Sequence, residues 1–251
     1  MALLETTRVR KWFGDTHAVD DVDFVVNQGE LLGLIGSNGA GKTTLVNLIS
    51  GLLRPDAGRI VFDGVDVTRQ SVHERIREGI ARSFQLVNLF DQMTVQDNVA
   101  LTIFAREGKT RRMTALAERD RAVLDEAGEV LQRFGLESKA RMLAGGLAQG
   151  ERKLLDVAVA YALRPKLLFL DEPTSGVSTR EKAPIMDIIR SVVRAGGITA
   201  VIVEHDMDVV FRIADRITVL HEGKVIADGR PDEVRGDRLV NEVYLGRVLE
   251  A

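Results

Sequence analysis

The stretch Gly36-Ser37-Asn38-Gly39-Ala40-Gly41-Lys42-Thr43-Thr44 has residue types and spacing suited to holding a polyphosphate. It satisfies G-x-x-x-x-G-K-[ST], in which glycines let successive backbone N–H groups curl around phosphate oxygens and Lys42 brings a mobile ammonium to the β- and γ-phosphates. Thr43 is placed to ligate magnesium. The pattern needs a strand before it and a helix after it. Leu31–Ile35 reads as a buried strand, and Leu45, Leu48 and Ile49 give the segment after the loop one apolar face at helical spacing. A helix beginning there adds partial positive charge at its N-terminus. An ordinary glycine-rich turn requires neither flank, so a nucleoside triphosphate site is expected.

A second group of polar residues falls at strand ends. Asp171 and Glu172 directly follow the apolar run Leu167–Leu170, which puts both carboxylates at the edge where open parallel sheets place ligands. Asp171 is expected to hold magnesium, directly or through water, and Glu172 to polarise an attacking water as general base. His205 follows the apolar strand ending at Val203, where an imidazole can bond a γ-phosphate and sense its loss. Gln85, after Ile80–Phe84, is an amide able to bind both metal-bound water and the nucleophile. His17, His73 and His221 read as surface or structural residues.

The elements that must position these groups follow from periodicity. The first sixty-odd residues are mainly strands, with alternation in Val22–Val26 and a further strand at Arg59–Phe62. From about Thr94 to Phe134 the character is helical, with Leu116, Val123, Leu124, Ala127, Val130, Leu131 and Phe134 on one face. Strands return at Leu167–Leu170, Ile198–Val203 and Arg216–Leu220 with helices between, which implies a parallel sheet covered on both faces. The 251 residues suffice for one sizeable core or two small lobes, and 45% hydrophobic with 28% charged content is that of a globular chain. Met1–Arg10 lacks the apolar core of a signal peptide and no apolar run approaches membrane-spanning length, so a cytoplasmic location is expected. The absence of cysteine excludes disulfides, and a net charge of −3 gives no electrostatic case for nucleic acid. Arg106, Lys109, Arg111 and Arg112 could form a basic patch, but such runs usually cover solvated helix or loop ends.

Taken in order, these residues resemble the ATP-binding subunits of ABC transporters over essentially the whole chain. The resemblance makes Gly36–Thr43 the Walker A motif, Gln85 the Q-loop residue, Leu167–Glu172 the Walker B strand with its catalytic glutamate, and His205 the switch histidine. Phe13, before Gly14, matches the aromatic residue that stacks on adenine, with Trp12 as a rival. The implied fold is an α/β P-loop NTPase with a RecA-like core, an antiparallel β subdomain and an inserted helical subdomain. Residues 1–84 and 160–251 would form the nucleotide-binding core, and 85–159 the helical unit. Leu147-Ala148-Gln149-Gly150-Glu151 stands where the family carries Leu-Ser-Gly-Gly-Gln, departing at three of five positions, and leads into the helical pattern Leu154, Leu155, Val157, Ala158. In the family this segment contacts the γ-phosphate of ATP held by the partner subunit. Ala148 removes the serine hydroxyl, while Gly150 keeps backbone donors. Ser178 stands where many members have an aspartate.

Ser83-Phe84-Gln85, Val203–Met207, Gly150–Lys153 and Val243–Gly246 resemble the ATPases of branched-chain amino-acid uptake systems in particular. Relatives serving other small polar solutes and lipopolysaccharide export share much of this pattern. The resemblance implies ATP and Mg²⁺ as ligands and a homo- or heterodimer of ATP-binding subunits. It also implies transmembrane permease subunits as partners, a substrate-binding protein acting indirectly, and a peripheral position on the inner face of the membrane. Leu86, Val87, Leu89 and Phe90 could line a groove for a short permease helix or belong to the helical core. ABC ATPases of DNA repair or translation usually carry two nucleotide domains, a long coiled coil or basic extensions, and a P-loop kinase or switch would leave Gln85, Gly150 and His205 unexplained.

Overall fold

The computed structural model describes residues 1–83, 89–108 and 120–245. Two sheets form its frame. Strands β1 (Ala2–Phe13), β2 (Thr16–Asn27), β4 (Ala57–Phe62) and β5 (Val65–Asp66) make an antiparallel sheet in the order β2-β1-β4-β5. Its alternation is that of a half-buried sheet: Val22, Phe24 and Val26 are buried, while Asp23 between them is exposed.

The second sheet orders its strands β10-β9-β3-β8-β7-β6. Here β3 (Leu31–Gly36), β6 (Ile80–Ser83), β7 (Leu167–Asp171), β8 (Thr199–Val203) and β9 (Arg216–His221) run parallel, and β10 (Lys224–Gly229) returns antiparallel along β9. Every residue of β3, β7 and β8 is buried, as expected of strands covered on both faces. Strand period two divides their side chains between two cores. Leu168, Leu170, Ala200 and Ile202 face one, while Phe169, Val201, Val203, Leu32 and Leu34 face the other.

Helix α1 (Lys42–Ser50) fills the second core with Leu45, Val46, Leu48 and Ile49, against Leu4, Phe24, Ile60 and Phe62 of the antiparallel sheet. The first core is helical on its outer side, built from α3 (Val95–Arg106), α4 (Arg121–Arg133), α5 (Gln149–Tyr161) and α6 (Thr179–Ala195). Val123, Ala127, Val130, Leu131 and Phe134 are buried there as their spacing predicts, and Leu124 is partly buried; Leu116 lies outside the described residues. Helix α2 (Val72–Glu78), which periodicity did not reveal, starts at Ser71 with a reciprocal Ser71–Glu74 capping box. Its Arg75 is only 1% exposed and donates to the carbonyls of Leu48, Ile49, Thr68 and Gln70, so a buried guanidinium closes the C-terminal end of α1. Desolvation lowers its pKa to about 10. Helices α7 (Met207–Ile213) and α8 (Pro231–Gly236) and a short helix α9 (Arg238–Val240) pack around a small third cluster with β9. Among the described residues, no helix is long and apolar enough to cross a membrane.

Candidate active site

The parallel strands end on one edge, and the polar groups lie along it. The phosphate loop leaves β3 at Gly36, where any Cβ would sit 2.3 Å from the Leu220 carbonyl oxygen of neighbouring β9. It enters α1 through Gly41, which has a φ of +101° and whose Cβ position is 2.3 Å from the Ala18 carbonyl oxygen. Both positions therefore demand glycine. Lys42 reaches back over the loop and donates to Gly36 O at 2.7 Å and Ser37 O at 3.0 Å. Burial lowers its pKa, against the opposing pull of Glu172 and Asp171.

Asp171 ends β7, and its carboxylate receives Arg82 Nη2 at 2.5 Å; Arg82 Nη1 also reaches Asn47 Oδ1 of α1 at 2.6 Å. This buried pair ties β6, β7 and α1 together. Glu172 adopts a φ of +47°, a conformation rare outside glycine and concentrated at functional sites. Its N–H donates to Val203 O at 2.8 Å, and its carbonyl accepts from Ser175 N at 3.0 Å and from buried Lys153 Nζ at 3.3 Å. Its carboxylate meets His205 Nε2 at 2.9 Å, a contact that requires the hydrogen on Nε2 when Glu172 is ionised.

A cavity of about 480 Å³ opens along this edge, and its wall includes Asn38 to Thr44, Glu172 and His205. The wall also takes in Thr16, His17, Ala18, Val203 and Glu222, which the sequence did not single out as site residues. His17 is thus a wall residue as well as a surface one, because the next residue of β2, Ala18, packs its carbonyl against Gly41 of the loop. Trp12 tilts against its ring at 5.7 Å, while Phe13 is 51% exposed with Lys11 Nζ 5.6 Å from its centroid. Neither aromatic is among the residues lining the cavity.

Leu147–Glu151 lie apart from this wall, at the start of α5. Ala148 has the extended backbone of an N-cap, and Glu151 Oε2 accepts from Ala148 N at 3.1 Å. Lacking an oxygen, Ala148 supplies only the backbone half of a capping box. Glu151 also pairs with Lys139. Ser178 precedes α6 and bonds Glu181. Gln85, Leu86 and Val87 lie outside the described residues; Leu89 packs on the helical core, and Phe90 is 57% exposed. Arg106 is ion-paired with Glu126 at 2.7 Å, while Lys109, Arg111 and Arg112 fall outside the described residues.

Residues 19–175 match the family model described as ABC transporter. The chain belongs to the ABC transporter family. It is 33% identical over 250 residues to the high-affinity branched-chain amino acid transport ATP-binding protein BraF of Pseudomonas aeruginosa, covering 97% of this chain and 98% of that one. It is 32% identical over 246 residues to the lipopolysaccharide export system ATP-binding protein LptB of Haemophilus influenzae, covering 98% of each. Its fold superposes with a TM-score of 0.85 on a crystal structure of an ABC transporter ATP-binding cassette in its ADP conformation, at 32% identity over 98% of this chain and 100% of that one. The expected ABC ATPase fold is therefore borne out, and the chain is an ATP-hydrolysing, nucleotide-binding ABC transporter subunit. Such subunits dimerise and work with transmembrane permeases.

Three buried supports of the site, Arg82, Lys153 and Glu204, were not assigned a role from sequence. Their available signal was position, since Arg82 is a charged residue within the strand β6, Glu204 directly follows the apolar strand β8 and Lys153 falls on the apolar side of α5.

Proposed function

We propose that this subunit couples ATP hydrolysis to uptake of branched-chain amino acids or similar small polar solutes. In this reading Glu172 is the general base. The observation that carries it is the convergence of Lys42, Glu172 and His205 on one cavity behind a phosphate loop. The backbone of Gly36 to Thr44 and the ammonium of Lys42 cradle the triphosphate. Glu172 takes the proton of a water whose oxygen bonds to the γ-phosphorus as the bond to the β–γ bridging oxygen breaks. His205 orients Glu172 and bonds the γ-phosphate. Thr43, Asp171 and Gln85 are proposed to hold Mg²⁺ through oxygen, directly or through water, and the ion would neutralise phosphate charge when bound. Phe13 or Trp12 is proposed to stack on adenine.

The segment Leu147-Ala148-Gln149-Gly150-Glu151 does not line its own subunit's cavity and is proposed to reach ATP held by a second ATP-binding subunit, identical or a sister chain. The helical unit of 85–159 then carries this segment and the permease contact, with a substrate-binding protein acting indirectly across the membrane. Similarity to BraF supports uptake, and the comparable similarity to LptB supports an export-type alternative.

The test is Glu172→Gln, with ATP binding measured by titration and dimerisation by light scattering in Mg²⁺. The variant should bind ATP, lose turnover by at least about a hundredfold and hold the closed dimer. Turnover at the parental rate would reject Glu172 as base. Copurification and solute uptake with neighbouring permease subunits separate import from export.

A further inference from the structure

Glu204 directly follows β8, between two residues of the cavity wall, yet it is 4% exposed and does not line the cavity. A carboxylate withdrawn from water needs donors. Its Oε1 accepts from Thr174 N at 3.0 Å and from Thr174 Oγ1 at 2.7 Å, and its Oε2 from His205 N at 3.3 Å. Thr174 is itself buried and stands two residues after Glu172. The donors thus come from the two loops whose side chains, Glu172 and His205, meet at 2.9 Å. Nearby, Lys182 of α6 pairs with Asp206 at 2.8 Å. Its pKa is raised chiefly by the hydrogen bond to Asp206 and in smaller part by the charge of Glu204.

We propose that Glu204 is a positioning residue for ATP hydrolysis, a bracket between the loop after Glu172 and the strand end carrying His205 that holds the base and the histidine in register. An apolar residue there would leave both Thr174 donors without their acceptor and free the loop to shift. The proposal rests on the assignment of Glu172 and His205 made above.

Steady-state turnover and ATP binding by the full chain test it with Glu204→Gln, Glu204→Leu and Thr174→Val. Displacing a catalytic group by about 1 Å costs about a hundredfold, so Glu204→Leu should lower kcat by about 30- to 100-fold with KM and the ATP Kd within about twofold. Glu204→Gln should fall between the parent and Glu204→Leu, about three- to tenfold slower than the parent, because its amide oxygen can accept both Thr174 donors while its NH2 cannot accept from the His205 N–H. Thr174→Val should be slowed about three- to tenfold, and in combination with Glu204→Leu should be no slower than Glu204→Leu alone.

The proposal is overturned if Glu204→Leu retains kcat within threefold, if Glu204→Gln is as slow as Glu204→Leu, if the loss appears in KM and Kd instead, or if the two losses multiply. Should Glu204→Leu fail to fold, a parental rate in Thr174→Val overturns it. A parental rate in Glu172→Gln would overturn the underlying base assignment together with this role. A dead Glu172→Gln beside a fast Glu204→Leu overturns this role alone.

Discussion

Replacing Ala148 by serine should raise the stability of the free subunit and tighten its ATP-bound dimer by separate routes. Ala148 has φ −63° and ψ 156°, the backbone of an N-cap, and Glu151 already accepts from its N–H at 3.1 Å. A serine Oγ would accept from the Glu151 N–H and complete the box. N-cap hydroxyls contribute about 0.5–2 kcal/mol, and since the Glu151 half exists already, about 1 kcal/mol is expected. For a chain of 251 residues this is a rise in Tm of about 2–4 °C. A hydroxyl has one donor besides its acceptor lone pairs, so the same Oγ–H remains able to bond a partner's γ-phosphate. A hydrogen bond to a charged group is worth about 1.5–3 kcal/mol, or about ten- to a hundredfold in dimer affinity per segment. Thermal melting without nucleotide reads the first effect, and light scattering of Ala148→Ser in the Glu172→Gln background reads the second. An unchanged or lower Tm would refute the capping argument. A raised Tm with unchanged dimer affinity would refute the reach of Leu147–Glu151 to a partner's phosphate.

Arg75→Leu should cost about 2–4 kcal/mol, because the carbonyls of Leu48 and Ile49 at the end of α1 lose a buried donor; urea unfolding with an unchanged midpoint would contradict this. Glu126 is held below its ordinary pKa of 4.5, first by its hydrogen bonds from Arg106. A depressed carboxylate stabilises the fold fully above pH 4.5, and the contribution fades as pH falls through the native value. Arg106→Met should therefore be about 1–3 kcal/mol less stable than the parent at pH 7, with the gap closing in acid; a gap independent of pH would count against the pair.

Much of the site was legible because its chemistry is local. The proposed phosphate loop is nine consecutive residues whose backbone would do the binding, and Asp171, Glu172 and His205 each follow an apolar run that identifies a strand end. Helix α4 was legible from one amphipathic face, since Val123, Ala127, Val130 and Leu131 must share a side to be buried. Helix α2 was not, because its anchor is Arg75, a charged residue buried among carbonyls, and no hydropathy pattern reports that. Nor did periodicity give the strand order, in which β3 lies between β8 and β9.

The sequence by itself therefore determined the phosphate-binding loop, the acidic pair at a strand end and the alternation of buried strands with helices, since each depends on neighbours along the chain. Tertiary structure decided which strand ends meet. It set Glu172 against His205, closed Arg82 onto Asp171 across 89 positions of sequence, placed His17 on the cavity wall and buried Glu204 between two loops. Those pairings depend on parallel strand register and on the desolvation that makes a buried charge seek its donors, and both exist only once the sheet has formed.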